Sequence, residues 1–218
     1  MPMLPCDLEP LYRLLTCVTD NENALVIANS LMEIYGSMER IFSCHISELK
    51  REIPGSAEFK SKVAFFLETV KSISRRRRME TYAIGDIYNE ISVVNFLLGL
   101  YLFEPMEMVN MLFFDSKMRY IGMELISSGT VNTSHITIRR ALEVSLRHNA
   151  SYVVIAHNHP MGSPTPSPDD VSTTRSLASA FSETGLRLIE HFILSGASYT
   201  KILSMSSGTL RQDATLLL

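Results

Sequence analysis

The hydrophobic pattern of the chain changes period part-way along. Through the first 80 residues, apolar side chains recur at three-and-four spacing over Leu8 to Val18, Ala24 to Tyr35 and Glu58 to about Ser74, separated by breaker clusters such as Thr19-Asp20-Asn21 and Pro54-Gly55-Ser56. That spacing predicts helices and offers no strand candidate. From Met108 the pattern shortens. Met108 to Phe114 and Arg119 to Ile126 are β-rich runs joined by Asp115-Ser116-Lys117, which predicts a hairpin. Ile138, Leu142 and Leu146 then recur every four residues among Arg139, Glu143 and Arg147, the pattern of an amphipathic helix. Tyr152 to Ala156 is a short continuous apolar run, as in a buried strand. Beyond a proline-rich loop, a helix is expected from about Pro168 to Thr184, with closing strands over Leu186 to Leu194 and Tyr199 to Met205. The order β-β-α-β-α-β-β implies an α/β domain, a mixed sheet flanked by helices. The last dozen residues read as a loose tail.

The strongly apolar stretch 83–103 marks a change of composition and places a domain boundary near 80–105. The division expected is a helical region 1–80, a linking helix 81–104 and the α/β domain 105–218. With 218 residues, 46% hydrophobic and 20% charged, the chain suits one ordinary domain plus a small satellite. A disordered chain and a large multidomain machine are excluded. The longest nearly apolar run, Ile91 to Phe103, is interrupted by Asn95 and falls short of the roughly 18–20 residues that cross a bilayer. No basic residue precedes an apolar stretch at the start, so no secretory signal is read and a cytoplasmic location is expected. Cys6, Cys17 and Cys44 are widely spaced, without a CxxC pair, which disfavours disulfides and thiolate zinc sites. The net charge of −3 lies wholly in residues 83–218, while residues 1–82 balance to zero. Contact with nucleic acid would therefore need a local patch.

The segment that carries chemistry is Ala156-His157-Asn158-His159-Pro160, followed by a proline-rich loop to Ser167-Pro168-Asp169-Asp170. Side chains alternate along a strand, so histidines at i and i+2 point to the same side and two imidazoles converge. The loop is long enough to bring Asp170 to the same point. Two nitrogens, one carboxylate oxygen and an open position are the layout of a catalytic zinc site. A base must then take a proton from the activated water. Glu124, a lone carboxylate in the run Ile121 to Ile126, is the residue assigned that role, and Ser167 could donate to the oxyanion that develops at a carbonyl. Both ends of this set have a plainer reading. Ser167 to Asp170 is also an ordinary helix start, with Ser as N-cap and Pro at the first position, and Glu124 alone is also a solvent-facing residue on an edge strand. His45, His135 and His148 stand alone in polar surroundings and read as surface residues.

Glu124 followed by His157-x-His159-Pro160-x6-Ser167-x-x-Asp170 resembles the motif of the JAMM (MPN+) metalloproteases. Gly129-Thr130-Val131-Asn132, His157 to Pro160 and Glu190-His191-Phe192-Ile193-Leu194 are similar to the RadC-like branch of bacterial JAB-domain proteins, over roughly residues 100–205. The resemblance implies a cytidine-deaminase-like α/β fold. It also implies Zn2+ held by His157, His159 and Asp170, with Glu124 as general acid/base and Ser167 as oxyanion helper. Met161, Pro168 and Glu190 depart from the family's usual residues without touching a ligand position. His191 is a structural or supporting candidate. The N-terminal region resembles the helix-hairpin-helix segment of RadC-like proteins through Leu49, Ile53-Pro54-Gly55 and the helix that follows, although Ser56-Ala57 replaces the Ile-Gly that would complete it.

The function this implies is a JAMM-type zinc metallohydrolase, a peptidase or isopeptidase in which metal-activated water attacks an amide carbonyl of a peptide or protein substrate, with a link to DNA repair. The alternative is a non-catalytic accessory protein that binds DNA, to which the run Arg75-Arg76-Arg77-Arg78 could contribute phosphate contacts; the same arginines equally read as a solvated helix end. A phosphoesterase is a third option, disfavoured by the lack of a second carboxylate cluster for a two-metal clamp. Deamination is disfavoured because the cysteine ligands of zinc deaminases are missing.

Overall fold

A computed structural model describes residues 8–129, 136–160 and 162–209, the last four as backbone. The chain divides into two compact units, residues 1–75 and 76–218. In the first, α1 (Leu8–Leu15), α2 (Asn21–Tyr35), α3 (Met38–Ser43) and α4 (Ile46–Glu52) lead into α5 (Ala57–Thr81). Their apolar faces supply a core that includes Leu11, Leu15, Ile27, Leu31, Leu49 and Leu67, each at most 2% exposed. Polar side chains begin the helices: Asp20 accepts from the backbone N–H of Asn23, and Ser37 from that of Arg40. Short α3 and α4 lie where too few turns exist for a three-and-four pattern to be read. Between α4 and α5 the chain turns at Gly55, whose φ is +113° and where a Cβ would meet the Phe59 ring at 2.8 Å. Only glycine fits there.

The second unit begins inside α5, and α6 (Glu90–Leu100) belongs to it. Val93, Val94, Leu97, Leu98 and Leu100 of α6 pack with Leu112, Phe114, Val154 and Phe192 in one core cluster, so the helix covers one face of the sheet. The expected hairpin forms as β1 (Glu107–Phe114) and β2 (Tyr120–Gly129). After α7 (Ile138–Arg147) come β3 (Tyr152–Asn158), α8 (Pro168–Glu183) and β4 (Arg187–Ser195). The last expected strand is instead a small hairpin, β5 (Ser198–Lys201) and β6 (Ser206–Thr209). The six strands lie in the order β2-β1-β3-β4-β5-β6. Strand β1 is antiparallel to β2 and β3, whereas β3 and β4, joined by the α8 crossover, are parallel.

The second sheet face is covered by α7 and α8. Ala141, Val144, Leu177 and Phe181 pack there against Val109, Met111, Phe113, Val153 and Ile155. Strand β3 is thus covered on both faces, which explains its unbroken apolar run. The arrangement is the JAB/MPN type of α/β fold, with a helical region ahead of it. Among the described residues no helix is long and apolar enough to cross a membrane. His135, Met161, residues 130–132 and the end of the expected tail from 210 onward lie outside the described residues.

Candidate metal centre

The site forms where β1 begins and β3 ends, near the start of α8. His157 is the penultimate residue of β3, 2% exposed, and lies opposite Val109 of β1. His159 follows on the same side, as the strand alternation requires. Its backbone N–H donates to Leu194 O at 2.8 Å, and its carbonyl accepts from Ser195 Oγ, so the end of β4 fixes the turn that carries it. The two Nε2 atoms face each other at 3.0 Å. His159 Nδ1 lies 2.8 Å from the Ser163 carbonyl, which can only accept, so Nδ1 carries a proton and Nε2 is the nitrogen turned to the site. His157 Nδ1 is occupied with His191 Nε2 at 2.9 Å, leaving its own Nε2 directed into the site.

Asp170 arrives from α8 through a capping box. Ser167 Oγ accepts from Asp170 N at 3.1 Å, while the Asp170 carboxylate accepts from Ser167 N at 2.8 Å. Ser167 Oγ also donates to Asp170 Oδ2 at 2.7 Å. Two hydrogen bonds thus hold Oδ2, and Oδ1 is the oxygen that faces His157 Nε2, at 3.5 Å. The helix-start reading of Ser167 to Asp170 is met, and the same geometry turns the carboxylate towards the histidines. The cap aims the carboxylate.

These donors suit a borderline divalent cation. Two nitrogens bound at about 2.0–2.1 Å in a tetrahedron stand roughly 3.3 Å apart, close to the 3.0 Å found. Two imidazole nitrogens and a carboxylate directed at one point, with no lysine or arginine among the described lining residues, form a donor set that suits a positive ion. Burial pushes the His157 imidazole down to about 4, with the His159 charge adding to the effect and Asp170 opposing it. His191, fully enclosed, is held well below the ordinary histidine range first by burial and then by the charges of His157 and His159. Both rings therefore stay neutral, the state that ligates metal.

Glu124 is not brought to this point. Its cross-strand partner is Met111, which in turn faces Ile155 of β3. With β1 between them, Glu124 is two strand spacings from β3, roughly 10 Å, and it falls short of His157 along the strands as well. Its carboxylate is bound by Arg140 at 2.8 Å, by Arg147, and by His148 at 3.3 Å. The Arg147 hydrogen bond, against a smaller desolvation cost, draws its pKa below the usual range. A carboxylate so neutralised is a poor proton acceptor. His148 is not the isolated surface residue expected: its ring stacks on Phe113 at 4.2 Å.

The carboxylate beside the histidines is Glu107, the first residue of β1, 9% exposed. One donor atom from each of Glu107, His157 and His159 lies within 4.8 Å of the others. The register explains it: Val109 lies opposite His157, so two residues back along β1 the chain lies opposite His159. The only signal in the sequence was a charge at the edge of an apolar run, and it acquires meaning once β1 is known to pair with β3. Glu107, Ser167, Asp169 and Asp170 line the cleft over the histidines, whose volume is about 320 Å³.

Residues 87–210 match the family model described as the RadC-like JAB domain. The chain belongs to the RadC-like JAB-domain family. It is 31% identical over 177 residues to a UPF0758 protein of Janthinobacterium sp. (strain Marseille), covering 80% of this chain and 77% of that one. Against UPF0758 proteins of Cupriavidus pinatubonensis and Neisseria meningitidis it is 32% identical over 192 and 193 residues, 82% and 84% of those chains and 87% and 88% of this one. The JAB-domain match begins at residue 87, past the helical unit, whereas these likenesses are too long to lie wholly within the second unit.

The arginine run lies inside α5, short of its end. Arg76 pairs with Glu80 at 2.8 Å, and the Arg78 guanidinium lies 6.0 Å from the Tyr82 ring centre. The four arginines thus already have partners within the chain.

Proposed function

We propose that this RadC-like protein is a zinc-dependent hydrolase of amide bonds, a peptidase or isopeptidase acting on peptide or protein substrates. One observation carries the reading: two imidazole nitrogens face each other 3.0 Å apart, with an Asp170 carboxylate oxygen 3.5 Å from one of them. His157 and His159 would hold the ion through Nε2 and Asp170 through Oδ1, leaving a position open to substrate. When bound, zinc supplies Lewis-acid polarisation of a carbonyl and of the attacking water. Glu107 takes the proton from that water at its carboxylate and delivers it to the leaving nitrogen. Ser167 keeps Asp170 aimed in the resting site, and passing its hydroxyl bond to a developing oxyanion is its second role.

The charge of the cleft favours amide over phosphate chemistry. Glu107, Asp169 and Asp170 line it, and among the described residues no lysine or arginine does. A phosphodiester would meet three acidic side chains, which repel it, whereas a neutral or cationic peptide would not be repelled. Elemental analysis of tag-free protein tests the reading. About one zinc per chain, absent from Asp170→Ala, is expected; wild type that takes up no zinc on reconstitution overturns it.

A further inference from the structure

His191 lies at the back of the cleft, which it helps to line, and is 2% exposed. Its two nitrogens are engaged on opposite sides, at 2.9 Å from His157 Nδ1 and 2.6 Å from Thr174 Oγ1. Thr174 Oγ1 is also 2.6 Å from the backbone carbonyl of Asp170. A carbonyl has no proton, so the threonine hydroxyl must donate to it. The hydroxyl oxygen is left as an acceptor, and the proton between Thr174 and His191 has to sit on His191 Nδ1. A buried ring whose nitrogens meet a hydroxyl and another imidazole is neutral, so its Nε2 carries a lone pair. The bond to His157 then exists only if His157 carries its proton on Nδ1. His157 Nε2 is thereby left bare and aimed at His159 and Asp170.

We propose that His191 is a positioning residue which, together with Thr174, selects the metal-binding tautomer of His157. The inference rests on the zinc reading above and deepens it. The direction of the whole relay is set by the Asp170 carbonyl, so the helix that delivers the carboxylate ligand also orients a histidine ligand on β3, through β4. A metal-ligating histidine usually gives its second N–H to a carboxylate, a carbonyl or water; here a neutral imidazole takes it. The tautomer is chosen without adding negative charge to the centre. His159 is independent of the relay, because the Ser163 carbonyl holds its Nδ1 proton.

Zinc affinity by chelator competition, together with 15N imidazole shifts of the zinc-free protein, tests the relay. In zinc-free wild type, His157 is expected to carry its proton on Nδ1. Removing the acceptor in His191→Leu, or the hydroxyl in Thr174→Val, should weaken zinc binding by about 10–100-fold, while His191→Gln, which keeps an oxygen opposite His157 Nδ1, and Thr174→Ser recover most of it. Rescue by Gln but not Leu separates tautomer selection from space filling, which both substitutions disturb. Thr174→Val keeps the side-chain volume and decides the matter if His191→Leu does not fold. A His157 proton on Nε2 in wild type would overturn the inference. So would undiminished zinc binding by both His191→Leu and Thr174→Val while Asp170→Ala loses the metal. If wild type takes up no zinc, the functional reading fails separately, and the 15N shifts still decide the relay.

Discussion

Two polar clusters stand on the same face of one sheet, and they differ in what balances their charge. Around Glu124, Arg140 and Arg147 supply the cations, and the carboxylate has nothing left to offer a ligand. Around His157, His159 and Asp170 the described lining residues include no lysine or arginine, and metal-type donors converge. The first is a closed ion network of an ordinary partly exposed kind. The second is a donor set of the kind that suits an ion. A carboxylate's isolation in an apolar run therefore says little about its chemistry; the neighbours brought in by another element decide it.

The largest expected contrast is in metal content. Asp170→Ala should weaken zinc binding beyond the roughly 10–100-fold typical of outer-shell changes, whereas Glu124→Ala should leave it unchanged, both read by chelator competition. Equal losses would erase the distinction between the clusters. Next comes hydrolysis: Glu107→Gln should retain zinc yet lower turnover of any cleaved peptide by about 10²–10⁴-fold. Glu124→Gln should stay close to wild type, and the reverse pattern in a turnover assay would return the acid/base role to Glu124.

Acid separates the clusters by pH window. The folded His157 pKa lies at about 4 against 6.5 for the free ring. The unfolded chain thus binds the extra proton first, and stability is lost as pH falls from 6.5 towards 4. Urea unfolding of zinc-free protein should show a loss on the order of 2–3 kcal/mol between pH 7 and 4.5. Glu124, whose folded pKa is lowered from 4.5, contributes above 4.5 and loses its contribution only below that. A flat profile from pH 7 to 4.5 would contradict the buried neutral histidines. Smallest is the Glu124 network itself. Glu124→Gln should cost no more than about 1 kcal/mol and less in 1 M salt, since Arg147 is half exposed; urea curves at two salt concentrations measure it.

Much of this molecule was legible because it is written locally. The i, i+2 spacing of His157 and His159 needs only the period of a strand. Ser167 to Asp170 needs only the logic of a helix start, and the same four residues aim the carboxylate. The hairpin, α7, β3 and α8 followed from hydrophobic period alone. The boundary was harder, because α6 is apolar nearly all round and its assignment to the sheet depends on what it packs against. Glu107 and the true setting of Glu124 were out of reach for a related reason. Strand β1 has two neighbours, and a hairpin reveals one of them; which residue meets His159 is set by the pairing of β1 with β3, whose residues are some 45 positions apart. The His191 relay joins β3, β4 and α8 and is equally non-local. The amino-acid sequence by itself determined most of the elements, the two histidines and the capped aspartate, since each depends on neighbours a few residues away. Tertiary structure alone decided which glutamate lies beside them, which is bound by arginines, and which partner faces His157 Nδ1, because hydrogen-bond partners across strands are chosen by register and not by spacing.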